Sequence, residues 1–126
     1  MLVLDSGGVT HLARRSRDAA ALLQALRARG HWPPVVPAVV LVERSQGHPG
    51  RDAHVNRFLK TCDVIEAVPE RLARRAALLR TKAHKGSAVD ALVVAFAEPD
   101  GAIIASDPDD LQALAAFTDG VRIAAV

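Results

Sequence analysis

The chain has 126 residues, a length suited to one domain with its own core. Half of it is apolar but only 3% is aromatic and Tyr is absent, so Ala, Val and Leu must build that core. The scarcity of aromatic faces disfavours a base-stacking platform for single-stranded nucleic acid. A formal charge of +2, carried by an Arg excess over Lys60, Lys82 and Lys85, suits phosphate contacts as well as solvated helix faces. A lone Cys62 excludes an intrachain disulfide.

In chain order, Leu2–Leu4 reads as a short buried strand ending at Asp5. Ser6, Gly7 and Gly8 read as a tight, permissive turn, with a first helix beginning near Val9. Ser16 is placed to cap a helix over Arg17–Arg29, which Gly30 stops. After the loop Trp32-Pro33-Pro34, Val35 and Val36 form a brief strand closed by Pro37, and Val39–Arg44 reads as a helix carrying Glu43. Gly47-His48-Pro49-Gly50 breaks it, and a short amphipathic helix follows over Asp52–Thr61. Asp63–Ala67 contains the next strand, and Pro69 opens a helix to about His84. Gly86 and Ser87 break and restart the chain, with Ser87 as N-cap of an almost wholly apolar helix, Ala88–Ala97. Ala102–Ala105 is a strand, Pro108–Phe117 a helix capped by Asp107, and Val121–Ala124 a last strand. Strands alternating with helices predict a parallel α/β sandwich over a single domain, residues 1–126.

No apolar run reaches the roughly 20 residues a bilayer requires, and Met1–Asp5 lacks a basic start followed by a long apolar stretch. The expectation is a soluble, cytoplasmic protein without a membrane partner.

The residues that could carry chemistry are acids beside apolar runs: Asp5, Glu43, Asp90 and Asp107, with Asp110 in the same loop as Asp107. An acid at the C-terminal end of a strand lies where open α/β sheets bind ligands. Asp90 interrupts a buried-looking helix, where a carboxylate is costly unless paired or bound to a cation, although three residues after Ser87 it also suits the helix dipole. Asp107 and Asp110 equally suit a helix start, and Glu43 equally suits a solvated face. Gathered carboxylates repel by about 4 kcal/mol at about 4 Å and an effective dielectric near 20, so the set points to a divalent cation of the oxygen-preferring kind, Mg²⁺ or Mn²⁺. The five histidines form no close zinc pair, and no GxxxxGK[ST] phosphate loop occurs.

The segments VLDSGGV, VVPAVVLVER, SAVDALVVAFA and IIASDPDDLQALA, in this order, resemble the PIN-domain ribonucleases. The similarity is nearest to the VapC type, the toxin half of bacterial toxin–antitoxin pairs, and spans essentially the whole chain. It implies a three-layer α/β/α sandwich with a mainly parallel five-stranded sheet. It also implies a metal-dependent endoribonuclease that forms a homodimer and is neutralised by a small antitoxin whose C-terminal segment covers the acidic groove. By this resemblance Asp5, Glu43, Asp90 and Asp107 match the family's acids in order, with Asp110 near by. Two departures stand out: Ala105 occupies a position often Thr or Ser, with Ser106 beside it, and Gly7-Gly8 follow the first acid. Arg14, Arg15 and Lys85 are candidates for holding an RNA backbone.

Two other classes compete. A phosphoaspartate enzyme with Asp5 as acceptor fits poorly, since position 7 is Gly rather than a second Asp and no Lys follows the strand Ala102–Ala105. A non-catalytic module that holds a partner peptide in an acidic groove fits the same acids without cleavage.

Overall fold

The computed structural model describes all 126 residues and contains five strands and seven helices. The strands are β1 (Leu2–Leu4), β2 (Val35–Pro37), β3 (Asp63–Ile65), β4 (Ala102–Ala105) and β5 (Arg122–Ala125). The helices are α1 (Ser6–Ala13), α2 (Arg17–Ala28), α3 (Val40–Arg44), α4 (Ala53–Leu59), α5 (Glu70–Ala83), α6 (Ala88–Ala97) and α7 (Asp109–Ala115). All four strand pairings are parallel, in the order β3-β2-β1-β4-β5. The sheet is thus wholly rather than mainly parallel. Parallel neighbours need crossover connections, and helices provide every one of them here.

Helices α1 to α4 pack with one another and α5 to α7 form a second group, giving the three-layer α/β/α sandwich expected from the alternating pattern. The central strands β1 and β4 are covered on both faces, by α1 and by α6. They are therefore continuous apolar runs: Val3, Leu4, Ile103 and Ala105 are buried, and their side chains join Leu12, Leu79, Leu111 and Leu114 in one core cluster. Helix α6 is apolar because it is the most deeply enclosed, with Ala91, Val93, Val94, Ala95 and Ala97 all buried.

Several local expectations need correction. Helix α1 begins at Ser6 rather than near Val9, with Asp5 as its N-cap. Gly7 and Gly8 lie inside its first turn, and neither has positive φ. Their smallness is used instead: a Cβ on Gly7 would collide with Ser106, and one on Gly8 with the Ile104 carbonyl. Glycine here lets α1 seat directly on the end of β4. Asp107 does not cap α7; Pro108 holds the cap position, with no side-chain hydrogen bond to the helix. Pro69 likewise stands just outside α5, at its N-cap. The remaining boundaries agree with expectation or move by one or two residues, and β3 falls within Asp63–Ala67.

From β1 the chain moves outward to β2 and β3, then returns through α5 and α6 to β4 on the opposite side of β1. The topological switch point thus falls between β1 and β4, and the crevice beyond their carboxyl ends is where such sheets bind ligands. Asp5 leaves β1 at this crevice, and Ser106 and Asp107 leave β4 there.

Candidate functional site

Asp5 is held by the start of α1. Its side chain accepts a hydrogen bond from the Gly8 N–H at 2.7 Å, and the Asp5 carbonyl accepts from Val9 N–H. The Asp5 carboxyl is half-buried, and its pKa is pushed up to about 6. Burial is the largest cause; the negative charges of Asp90 and Glu43 add to it, against the lowering effect of the Gly8 and Gly7 N–H groups. Two of the acids singled out in the sequence, Glu43 and Asp90, thus act through space on a third, Asp5, which lies 85 positions from Asp90 in the chain.

Asp90 comes to this point on the first turn of α6. It forms a capping box with Ser87: the Ser87 N–H donates to Asp90 Oδ2 at 2.9 Å, and the Asp90 N–H donates to Ser87 Oγ at 3.0 Å. The capping geometry weighed from sequence is thus present, alongside the electrostatic contact with Asp5. Glu43 sits exposed on α3, whose brevity reflects the break at Ser45–Gly50. Asp107 and Asp110 are both exposed, and neither is among the charges that raise Asp5.

A groove of about 290 Å³ opens beside Asp5, lined among others by Ser6, Thr10, His11, Glu43, Arg44 and Ser106. Its walls are mostly polar, and Ser6 and Ser106 are among the residues that line it. The all-oxygen donor chemistry of Asp5, Glu43 and Asp90 fits a hard divalent cation. The spacing is wider than a coordination sphere, however: no three His, Cys, Asp or Glu side chains are grouped closely enough to hold a metal ion. Asp5 and Asp90 each give one oxygen to a backbone N–H, which fixes the carboxylate and leaves its other lone pairs for a ligand.

Three features were not found by sequence reasoning. Asp52 is a buried carboxylate, only 4% exposed, that accepts hydrogen bonds from the N–H groups of Gln46, Gly47 and His48. These bonds hold its pKa below the usual carboxylate range, with Arg44 adding a smaller effect in the same direction. An Asp just after a Gly/Pro loop was the available signal. Arg44 itself lines the groove with a buried Nε that has no hydrogen-bond partner. Finally, Arg75 grips Glu98 with two bonds of 2.8 and 2.9 Å and also reaches the Phe117 carbonyl, at the opposite end of the sheet from Asp5. Nothing local marks this long-range pair. Cys62 offers no nucleophile, because burial pushes its thiol up to about 11. No helix is long and apolar enough to cross a membrane.

No protein-family model matches the chain, and no curated protein does. Among solved structures, it is similar to the crystal structure of PAE2754 from Pyrobaculum aerophilum, with a TM-score of 0.64 at 16% identity over 97% of this chain and 89% of that one. At this identity the likeness concerns the fold alone, over nearly the whole of the chain.

Proposed function

We propose that this chain is a metal-dependent endoribonuclease that acts as the toxin of a type II toxin–antitoxin system. The observation that carries the reading is the state of Asp5: a half-buried carboxyl at the switch point of the sheet, raised to about 6 with Asp90 and Glu43 among the causes. Anionic side chains converging at that point favour a cation. The PIN-like order of the four acid-bearing segments supplies the activity class.

Asp5, Asp90 and Asp107 would hold one or two Mg²⁺ or Mn²⁺ ions, with Glu43 and Asp110 at the margin. Such an ion, when bound, supplies Lewis acidity that makes water a better nucleophile and offsets charge on the phosphodiester. The protein's own contribution is positional. The Gly8 N–H fixes Asp5, the Ser87 cap fixes Asp90, and exposed Glu43 is free to orient an attacking water and accept its proton. Ser6 and Ser106 add hydroxyls along the groove. Single-stranded or looped RNA suits the reading because its bases can be splayed out. A homodimer, a cytoplasmic setting and a small antitoxin whose C-terminal segment covers the groove complete the proposal.

The test is cleavage of total RNA by the pure protein with Mg²⁺, Mn²⁺ or EDTA, beside the Asp5→Asn variant. Metal-dependent cutting that the variant loses is the expected result. Equal cutting by both proteins would refute the assignment of Asp5. A second reading, a non-catalytic module that holds a basic partner segment among the acids, is favoured by the absence of three side chains at ligating spacing. It predicts partner binding with no cleavage under any of the three conditions.

A further inference from the structure

A second groove, of about 390 Å³, lies between the α1–α2 connection and α4. Its floor is apolar, with Leu23 and the half-buried Phe58, while Arg14, Arg15, Arg57 and His54 stand around it. No acidic side chain lines it. Its three guanidinium groups are all unpaired: the two ion pairs of the protein are Arg74–Glu70, within α5, and Arg75–Glu98, from α5 to the end of α6. In a chain whose net charge is only +2, three free arginines around one apolar floor form a local concentration of positive charge. Arg14 also lines the groove beside Asp5, so the two depressions adjoin.

We propose that this groove is the track for the phosphodiester backbone of a single RNA strand whose next phosphate enters the carboxylate site. The proposal rests on the nuclease reading and deepens it by assigning substrate-holding residues. The guanidinium forks would hold phosphate oxygens, for which their planar geometry is suited. Phe58 and Leu23 would give a ribose or base an apolar surface without sequence preference. Arg14, at the junction, would hold the phosphate nearest to the acids and counter its repulsion by them. Of the three cations suggested by sequence, Arg14 and Arg15 belong to this track; Lys85 lines a separate, shallow patch with Arg80 and His84.

The experiment is fluorescence anisotropy of a labelled oligouridylate with the full chain in EDTA, where binding is read without cleavage. The Arg14→Ala/Arg57→Ala double variant is compared with an equally discharged Arg71→Ala/Arg74→Ala variant on α5, and the melting temperature of each verifies that it is folded. Expected is a loss of affinity of about tenfold in the groove variant only, with the slope of log affinity against log salt reduced by about 0.7 per lost phosphate contact. Equal losses in the two variants, or no binding by the wild type, would overturn the track while leaving the carboxylate assignment standing. Groove-dependent binding of an oligoglutamate peptide at least about tenfold tighter than that of the RNA would also overturn it, assigning the groove to an acidic protein segment. Groove-dependent binding by a wild type that cuts no RNA would uphold the track and refute the nuclease.

Discussion

Asp5 and Asp52 are two carboxylates withdrawn from water, and the protein treats them in opposite ways. Asp52 has its charge answered on the spot by three backbone N–H groups, which hold its pKa low. Asp5 has one short bond from Gly8 and faces the charges of Asp90 and Glu43, so its pKa is high. Burial alone therefore does not mark a site. A carboxylate whose charge is satisfied locally is a fastening, here of the Gln46–His48 turn, whereas one whose charge is opposed by its surroundings is held ready for a cation or a proton.

The sharpest way to break this contrast is through activity. Asp5→Asn and Asp90→Asn should each reduce RNA cleavage by at least about 100-fold, more than is typical for residues that merely support metal ligands. Both variants retain the helix caps, since an Asn side chain can still accept from Gly8 or Ser87. Asp52→Ala should do the reverse. It should give the largest loss of melting temperature of the variants named here and faster amide exchange at Gln46, Gly47 and His48, with cleavage by the still-folded fraction retained. An unchanged melting temperature would mean that the turn holds itself.

The pH dependence separates the two acids further. The raised pKa of Asp5 means that the folded state keeps a proton that the unfolded state releases, so Asp5 costs stability as the pH rises from about 4 to about 6 and continues to cost it above. Asp5→Asn should remove that cost and, after discounting for its partial exposure, stabilise the chelator-treated protein at pH 7 by about 1–2 kcal/mol but not at pH 4. Denaturant unfolding at the two pH values measures this. Asp52 and Glu98 carry the opposite sign: their pKa values are lowered, so the stability they give is present above the ordinary carboxylate range and lost on acidification. Glu98→Gln, which weakens the grip of Arg75, should cost about 1 kcal/mol at pH 7, as for a partly exposed pair. A loss independent of pH would assign the effect to packing instead.

The parts of the fold legible in the sequence were those punctuated locally. Strand β1, helix α6 and strand β4 have the expected bounds because each is an apolar run, broken in α6 only by Asp90, with a Gly, Ser or Asp at one end or both. Helix α1 was misjudged because Gly7-Gly8 has the look of a turn, while its use is a close approach to Ser106 and Ile104, which lie nearly a hundred residues away. At the site, the meeting of Asp5, Glu43 and Asp90 could be foreseen as acids beside buried elements. That Asp107 does not cap α7 could not, because it depends on how the chain leaves β4 and enters the helix through Pro108. Arg75–Glu98 spans 23 residues and joins α5 to the end of α6, so only the packed structure shows it.

The central claim, that the acids around Asp5 are arranged for a divalent cation, is tested most directly by melting the protein at pH 7 over a titration of Mn²⁺, wild type beside Asp5→Asn. A ligand that binds the folded state alone raises stability in proportion to the logarithm of its concentration above the dissociation constant. The account expects the melting temperature of the wild type to climb with Mn²⁺ and that of the variant, higher at the outset, to stay flat. Parallel curves for the two proteins, or no response from the wild type, would contradict it.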